Sequence, residues 1–342
     1  MFKNSTNNKK VAAKRAAITE NKATIVESES IIHSEAAITE NEIPVTPALT
    51  RTHQDFIEMF DQIVEGKMRN QISTGYAELD NVLGGGLNEG LYTVMAIPGA
   101  GKTTLCLSML PHLTAAGHHV IFISLEMSKH QILTKCASRL THSLYGIDHA
   151  RTYQEICQMN EDDREAIDAI VAAYEEEASH TSIITSDQIE SVDSVEALVA
   201  RCCDATDKPP VLIVDYLQLM AAMNESASEK QAADYVVTRL RNMALAYHIP
   251  VLLISSVART SYDKKLTIGS AKESGGIEYT SDAMLGLEYA TQDKNSTPSP
   301  DNSRLVSLKV FKNRFGPTDT TIRLRMLPQY SVFCSEEPAK YI

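Results

Sequence analysis

AIPGAGKTT, at residues 96–104, decides the fold of this chain, because it lies between the apolar stretch LYTVMA at residues 91–96 and a predicted helix beginning near Lys102. Gly99 and Gly101 lack a Cβ, so the backbone N–H groups of this loop can approach an anion closely. The loop opens onto a helix N-terminus, where the partial positive charge favours phosphate. We therefore predict that the segment holds the phosphates of a nucleoside triphosphate.

Two side chains of this loop carry the predicted chemistry. Lys102 would neutralise the β- and γ-phosphates, and the Thr103 hydroxyl would bind Mg²⁺. Ala96 stands where the pattern GxxxxGK[ST] ordinarily begins with glycine. The predicted cofactors are ATP and Mg²⁺, and the predicted nucleotide-binding residues are Ala96, Pro98, Gly99, Ala100, Gly101, Lys102, Thr103 and Thr104.

Two carboxylates end apolar strands further along the chain. Asp215 closes the run VLIVD and Glu126 follows IFISL. A carboxylate at the C-terminal end of a buried parallel strand points into the crevice where open α/β sheets bind ligands. We predict that Asp215 holds Mg²⁺ together with Thr103 and that Glu126 polarises the attacking water. The alternatives are a turn-capping aspartate and a surface carboxylate or helix cap at Glu126.

Strand and helix patterns alternate through the central part of the chain. Such alternation predicts a parallel sheet covered by helices on both faces. After residue 283 the pattern changes to LGLEYA, RLVSLKVF, TTIRLRML and SVFCS, which predicts antiparallel strands, with residues 292–303 as a hairpin loop. The predicted strands of the alternating part are 91–96, 118–127, 181–186, 209–220 and 250–256, and its helices lie near 150–178, 193–204 and 228–247.

Composition excludes several classes of protein. The net charge of −12 argues against a uniformly basic nucleic-acid binder, so any such contact must be local. No apolar run approaches the roughly 18 residues of a membrane span, and the N-terminus has no apolar core typical of a secretory signal. A transit peptide stays open, because this end is basic and rich in alanine. The six cysteines form no CxxC pair. We predict a cytoplasmic protein with reduced thiols and no membrane partner.

The chain is predicted to have three parts. Residues 1–50 lack helical or strand periodicity and are predicted to be a disordered tail. Apolar residues at helical spacing between residues 53 and 68 predict an amphipathic linker helix within residues 51–70. Residues 71–342 form the predicted catalytic domain.

Five segments together resemble the C-terminal motor domain of DnaB-like replicative DNA helicases of superfamily 4: AIPGAGKTT, FISLEM, IVDYLQLM, KESGGIEYTSD and KNRFGP. They occur in the family's order and approximate spacing over residues 70–335. LGGGLNEG at residues 83–90 also resembles the entry to RadA- and KaiC-type ATPases. The resemblance implies an α/β fold, a RecA-like P-loop NTPase with a mostly parallel sheet flanked by helices and antiparallel strands at the C-terminal edge.

The resemblance also implies roles for single residues. Glu126 matches the family's catalytic glutamate and Asp215 its Mg²⁺-site aspartate, while Lys102 serves in the nucleotide loop. Lys312 and Arg314 in KNRFGP match a basic pair that such motors insert into the ATP site of the adjacent subunit, which implies a head-to-tail homohexamer. Taken alone, this pair is equally a solvent-facing lysine and arginine at a strand edge.

KESGGIE at residues 272–278 resembles a loop that faces the central channel and holds single-stranded DNA by its backbone. Two glycines would let main-chain N–H groups reach phosphate, and lysines would add charge. A flexible surface loop is the alternative. The predicted DNA-binding residues are Lys272, Glu273, Gly275, Gly276, Arg259, Lys264 and Lys265.

Three features depart from the family pattern. Ser256 stands where members commonly carry glutamine, and Lys272 replaces an arginine, which loses bidentate geometry. The family's N-terminal helical domain is not recognisable ahead of the linker helix, which suggests a phage, plasmid, mobile-element or accessory helicase.

The predicted function is therefore an ATP-dependent DNA helicase or translocase, a ring-shaped hexamer acting on single-stranded DNA in replication. A helicase loader or primase is a possible partner. The alternatives are a RecA- or RadA-like DNA-dependent ATPase of recombination or repair, and a nucleotide-switched assembly or loading ATPase that does not unwind DNA.

Overall fold

The computed structural model describes residues 52–64, 71–222, 228–262, 264–272, 274–290 and 301–336. The chain divides into two units, residues 1–69 and 70–342. In the first unit, helix α1 (Thr52–Val64) lies within the predicted linker segment. The predicted tail and most of the predicted hairpin loop at residues 292–303 lie outside the described residues.

The second unit is built on one mixed sheet with helices on both faces. Its nine strands in the described residues follow the order β3-β2-β4-β5-β1-β6-β7-β8-β9. The strands are β1 (Gly90–Ala96), β2 (Val120–Ser124), β3 (Thr181–Thr185), β4 (Val211–Asp215), β5 (Pro250–Ser256), β6 (Ala283–Tyr289), β7 (Arg304–Asn313), β8 (Thr320–Leu327) and β9 (Val332–Ser335). The α-helices are α2 (Ala77–Val82), α3 (Lys102–Ala115), α4 (Lys129–Tyr145), α5 (Tyr153–Gln158), α6 (Arg164–Ser179), α7 (Val192–Ala205), α8 (Leu217–Ala222), α9 (Glu229–Ala246) and α10 (Ser274–Thr280).

Strand β1 lies at the centre of the sheet and pairs in parallel with β5 on one side and β6 on the other. The prediction that β6 belongs to the antiparallel group is therefore wrong for its pairing with β1. The direction first reverses between β6 and β7, and β7, β8 and β9 then continue antiparallel. Periodicity reports which faces a strand buries, but it does not report the direction of the neighbour.

The predicted long strand at residues 209–220 is also too long. Strand β4 ends at Asp215, and α8 follows from Leu217. Leu217, Met220 and Ala221 are buried, and their spacing of three and four residues is that of one helix face. The predicted helix at 150–178 is likewise divided into α5, a 3₁₀ turn at Glu161–Asp163, and α6.

The core forms two apolar clusters, one on each face of the sheet. Alternate residues of β1 contribute to them: Tyr92 and Val94 belong to one cluster, whereas Leu91 and Met95 belong to the other. A strand buried on both faces reads as a continuous apolar run. This rigid central strand ends at the predicted phosphate loop.

Candidate nucleotide site

The phosphate loop connects β1 to α3 and uses two glycines in the left-handed region. Gly99 has φ of 77° and Gly101 has φ of 97°. A Cβ at Gly101 would stand 2.9 Å from both Met326 Cε and Phe333 Cε2, so no larger residue fits there without a shift. Glycine at this position is required both by the backbone conformation and by the close approach of β8 and β9.

Lys102 and Thr103 occupy the first turn of α3. The Lys102 ammonium donates hydrogen bonds to the carbonyl oxygens of Ala96 at 3.0 Å and Ile97 at 3.4 Å. The Thr103 hydroxyl donates to Asp215 Oδ2 at 2.6 Å. The structure thus brings the loop together with the carboxylate at the end of β4, as the sequence predicts.

Asp215 is almost completely buried, with 1% of its surface exposed. Burial raises its pKa from 3.8 to about 6, and the Glu126 carboxylate adds to this increase, while the Thr103 hydrogen bond and Lys102 oppose it. Burial likewise lowers the pKa of the Lys102 ammonium, against the attraction of Asp215 and Glu126. Burial therefore disfavours the charged forms of both Asp215 and Lys102. A bound cation would favour the ionised Asp215, and a bound polyanion would favour the charged Lys102.

A cavity of about 350 Å³ lies against these groups. Most of the predicted loop residues line it, whereas Ala96 and Ala100 are fully buried in the core and are not part of its lining. Glu126 lines the cavity, and its side chain is exposed. The cavity is lined by Pro98, Gly99, Gly101, Lys102, Thr103, Thr104, Glu126, Met127, Lys135, Tyr216, Ser256, Met326 and Pro328.

Several of these residues were not predicted as site residues. Lys135 comes from the middle of α4. Met326 lies near the end of β8 and Pro328 directly follows that strand, more than 200 residues from the loop in sequence. The sequence signal for Lys135 was its position between the apolar residues Ile132 and Cys136 of α4. Nothing in the local pattern around Met326 indicates a ligand.

The donor set fits magnesium. Hard divalent cations of this size prefer oxygen ligands from hydroxyl, carboxylate and phosphate groups. Thr103 and Asp215 already place a hydroxyl and a carboxylate oxygen 2.6 Å apart beside the phosphate loop. A nucleotide in this cavity would supply the remaining phosphate oxygens.

The predicted basic pair, Lys312 and Arg314, lies at the opposite end of the central strands from the phosphate loop. Arg314 donates from Nη1 to Asp282 Oδ1 at 2.9 Å, and its backbone N–H donates to the Asp282 carbonyl. The Lys312 ammonium donates to the Glu278 carbonyl at 2.6 Å. Asp282 is level with Leu91 at the start of β1, because its N–H donates to the Leu91 carbonyl.

The phosphate loop begins instead after Ala96, at the far end of β1. Five residue steps from Leu91 to Ala96, at about 3.3 Å each, separate the two places by roughly 17 Å along the strand. Lys312 and Arg314 are therefore too far from the phosphate loop of their own chain to contact a phosphate held there.

The predicted DNA segment departs from the expected loop. Ser274–Thr280 forms helix α10, and Ile277 in it is fully buried. A Cβ at Gly276 would stand 1.9 Å from Asp234 Oδ1, so this glycine permits close packing of α10 against α9. Glycine disfavours helices by about 1 kcal/mol, and the tertiary packing overrides that preference here.

The remaining predicted DNA residues are placed as follows. Lys272 forms an ion pair with Glu229 at 3.2 Å, and Glu273 lies outside the described residues. Arg259 starts a 3₁₀ turn after β5, and it is exposed, as are Lys264 and Lys265.

The exposed residues Arg259, Lys264 and Lys265 belong to a segment that starts after Ser256 and ends at Lys272, and both of its ends lie beside the nucleotide cavity. Ser256 lines the cavity, and its carbonyl accepts a hydrogen bond from the Lys272 N–H at 2.9 Å. A bridge between Val257 and Ala271 closes the base of the segment. The cavity and the predicted DNA segment are thus joined by direct backbone contact.

The fold and the site define a P-loop nucleotide-binding protein with a RecA-like α/β sheet. The family model for the DnaB-like helicase C terminal domain matches residues 71–335, and the chain belongs to that family. Within the described ranges, every helix is too short or too polar to cross a lipid bilayer.

The chain is similar to named helicases over part of their length. It is 26% identical to a probable replicative DNA helicase of Trieres chinensis, over 81% of this chain and 61% of that protein. It is also 26% identical to the replicative DNA helicase DnaB of Treponema pallidum, over 80% of this chain and 59% of that protein. The chain thus spans about three fifths of the length of these curated relatives.

Solved structures show the same fold. A DnaB-like replicative helicase, described together with its interactions with primase, matches with a TM-score of 0.67 and 19% identity, over 96% of this chain and 77% of that one. A solved ATPase domain matches with a TM-score of 0.70 and 20% identity, over 83% of this chain and 98% of that one.

Proposed function

We propose that this protein is an ATP-hydrolysing DNA helicase or translocase that works as a head-to-tail homohexamer on single-stranded DNA in replication. One observation carries this proposal. The nucleotide cavity lies at the C-terminal end of β1, while Lys312 and Arg314 lie level with its N-terminal end, too far away to contact phosphates held by their own loop. A head-to-tail ring would bring these two ends of the sheet together in neighbouring subunits.

Each residue of the site has a definite task in hydrolysis. Lys102 leaves the loop carbonyls to neutralise phosphate, and Glu126 accepts a proton from the attacking water. Thr103 and Asp215 would hold Mg²⁺, which when bound neutralises charge on the phosphate oxygens. Arg314 of the adjacent subunit stabilises the charge that develops in the transition state.

The predicted DNA-binding segment is in backbone contact with the wall of the nucleotide cavity, so a bound nucleotide could change its position. The hydrogen bond from the Lys272 N–H to the Ser256 carbonyl transmits displacement between this segment and the cavity wall. Arg259, Lys264 and Lys265 supply exposed positive charge for backbone phosphates, and aromatic base stacking is not required. A cytoplasmic location and a primase or a loader as partner belong to the same proposal.

The first test is the rate of ATP hydrolysis measured across protein concentration, with and without single-stranded DNA. A rate per subunit that rises with assembly, and again with DNA, supports the motor. A low rate that DNA leaves unchanged favours a nucleotide-switched assembly protein. DNA-stimulated hydrolysis without strand displacement from a forked substrate favours the RecA- or RadA-like alternative.

Mixing two inactive variants tests whether Arg314 acts on the adjacent subunit. Lys102→Ala removes the phosphate-binding ammonium but keeps the arginine, whereas Arg314→Ala does the reverse. Each variant alone should lose about 10³-fold or more in hydrolysis rate. Mixed rings should regain a substantial part of the wild-type rate, because a Lys102→Ala subunit can supply Arg314 to a neighbour.

The control for this experiment is nucleotide binding. Arg314→Ala should bind ADP as tightly as the wild type, because the residue is remote from its own loop. Normal hydrolysis by Arg314→Ala at ring-forming concentration, or mixtures that stay inactive although they assemble, would contradict action in trans.

A further inference from the structure

Lys135 lines the nucleotide cavity, but the proposed mechanism assigns it no role in hydrolysis. It lies near the middle of α4, three residues after the fully buried Ile132 and directly before the buried Cys136. This spacing places it at the edge of the buried helix face. Its side chain lines the nucleotide cavity together with Glu126 and Met127.

The surroundings of Lys135 differ from those of the other cations held inside this domain. Arg139, one turn further along α4, pairs with both oxygens of Glu177 at 2.6 Å. Arg241 pairs with Asp282 at 2.7 Å, and Lys102 is satisfied by two carbonyl oxygens. Lys135 has no hydrogen-bond or ion-pair partner among the residues that the structure describes.

An ammonium without such a partner is unfavourable in a partly buried place. Burial lowers the pKa of Lys135, and the electrostatic attraction of Cys136 and Asp215 opposes this effect. The group is therefore held in a position that costs stability unless an anion enters the cavity. A terminal phosphate is such an anion.

The position of Lys135 within the cavity indicates which part of a nucleotide it would meet. Glu126, Met127 and Lys135 all come from the segment between β2 and the middle of α4, and all three line the cavity. Met326 and Pro328 form an apolar part of the lining, which suits a base or a ribose. Asp215 attracts the ammonium groups of both Lys102 and Lys135, so Lys135 lies on the side of the cavity where Thr103 and Asp215 would hold Mg²⁺ and the terminal phosphates.

We propose that Lys135 is a second phosphate-binding lysine, whose ammonium donates to the γ-phosphoryl oxygens of ATP in this cavity. The inference rests on the proposed function, since it needs a nucleotide in this cavity. It assigns to Lys135 the discrimination between ATP and ADP within a single subunit.

The test compares binding of fluorescent ADP and of a fluorescent, non-hydrolysable ATP analogue, with Mg²⁺ present. Lys135→Met keeps the length of the side chain and removes the charge. We expect it to weaken binding of the ATP analogue by about 10- to 100-fold, the loss of one charge-assisted hydrogen bond, and to change ADP binding by less than about 3-fold. Lys135→Arg should restore most of the affinity for the analogue.

A second readout is the melting temperature without nucleotide. Removing an unpaired, partly buried ammonium should raise the melting temperature of Lys135→Met above that of the wild type, whereas a lysine with a structural role would give a decrease. Lys129→Met is the matched control, because Lys129 is exposed at the first position of α4 and does not line the cavity. It should alter neither readout.

Three outcomes would overturn the inference: unchanged affinity for the analogue in Lys135→Met, an equal loss for ADP and analogue, or a lower melting temperature with unchanged selectivity. If Lys135→Met does not fold, Lys135→Gln replaces it with the same expectations. A wild-type protein that binds neither nucleotide would overturn the proposed function as well. Wild-type binding combined with any of the three outcomes overturns this inference alone.

Discussion

At the scale of single residues, Asp215 is a carboxylate whose ionised form is unfavourable in the empty site, because it is buried. The carboxylate is buried, its pKa is raised to about 6, and a hydroxyl and a nearby ammonium compensate only in part. The folded protein therefore binds this proton more tightly than the unfolded chain does. The contribution of Asp215 to stability is present below its ordinary pKa of 3.8 and is lost as the pH rises through about 6.

This pKa predicts the behaviour of Asp215→Asn in the absence of nucleotide and metal. At pH 7 the variant should be more stable than the wild type by up to about 3 kcal/mol, because the neutral amide removes a buried charge. The difference should shrink towards zero as the pH falls to about 4. Urea unfolding of both proteins between pH 4 and pH 7 measures it, and a difference that is independent of pH would contradict the prediction.

At the scale of secondary-structure elements, α9 packs against α10, the helix that carries the two predicted DNA-binding glycines. Gly276 lets α10 approach Asp234 on α9, whereas Gly275 has Lys230 Nζ as its nearest neighbour, at 3.9 Å from an added Cβ. Two adjacent glycines in one helix therefore have different reasons to be glycine. This difference offers a matched pair of substitutions.

Gly276→Ala should destabilise the domain by about 1–3 kcal/mol, since the added methyl group overlaps the Asp234 carboxylate. Gly275→Ala should be neutral or stabilising by up to about 1 kcal/mol, because alanine favours the helix and its methyl group makes only an ordinary van der Waals contact with Lys230. Urea unfolding measures both free energies, and the stimulation of hydrolysis by DNA should fall only for Gly276→Ala. Equal effects of the two substitutions would show that packing on α9 is not what requires Gly276.

At the scale of the whole molecule, helix α1 presents an apolar stripe that its own unit leaves exposed. Phe56, Phe60, Ile63 and Val64 are between 42% and 79% exposed, and the rings of Phe56 and Phe60 contact each other edge to face with centroids 4.9 Å apart. Adjacent exposed apolar side chains of this kind mark association surfaces. We propose that α1 is a contact between subunits of the ring.

Phe60→Ser should therefore move ring assembly to higher protein concentration, by about tenfold or more, because a buried aromatic side chain contributes roughly 1.5–3 kcal/mol. Analytical ultracentrifugation measures the shift, and the concentration dependence of hydrolysis should follow it. Glu58→Ser lies on the same helix outside the apolar stripe and is the control. Assembly that is unaffected by Phe60→Ser would remove α1 from the ring contact.

The sequence by itself was sufficient for the features that rest on local chemistry. Glycines at 99 and 101, followed by Lys102 and Thr103 after an apolar strand, dictate a phosphate loop, because only a few residue types tolerate its backbone and bind its ligand. The alternation of buried strands and helices was sufficient for a parallel α/β sheet, and the order of motifs was sufficient for the family.

Only the tertiary structure decided how distant segments meet. It made β6 parallel to β1, ended β4 at Asp215, and placed residues 274–278 of the expected DNA loop in a helix, since packing partners from other segments outweigh local propensity. It also brought Lys135, Met326 and Pro328 to the cavity and placed Arg314 at the opposite end of the central strands from that cavity. These positions depend on pairing register and helix packing across more than a hundred residues, which no local pattern contains.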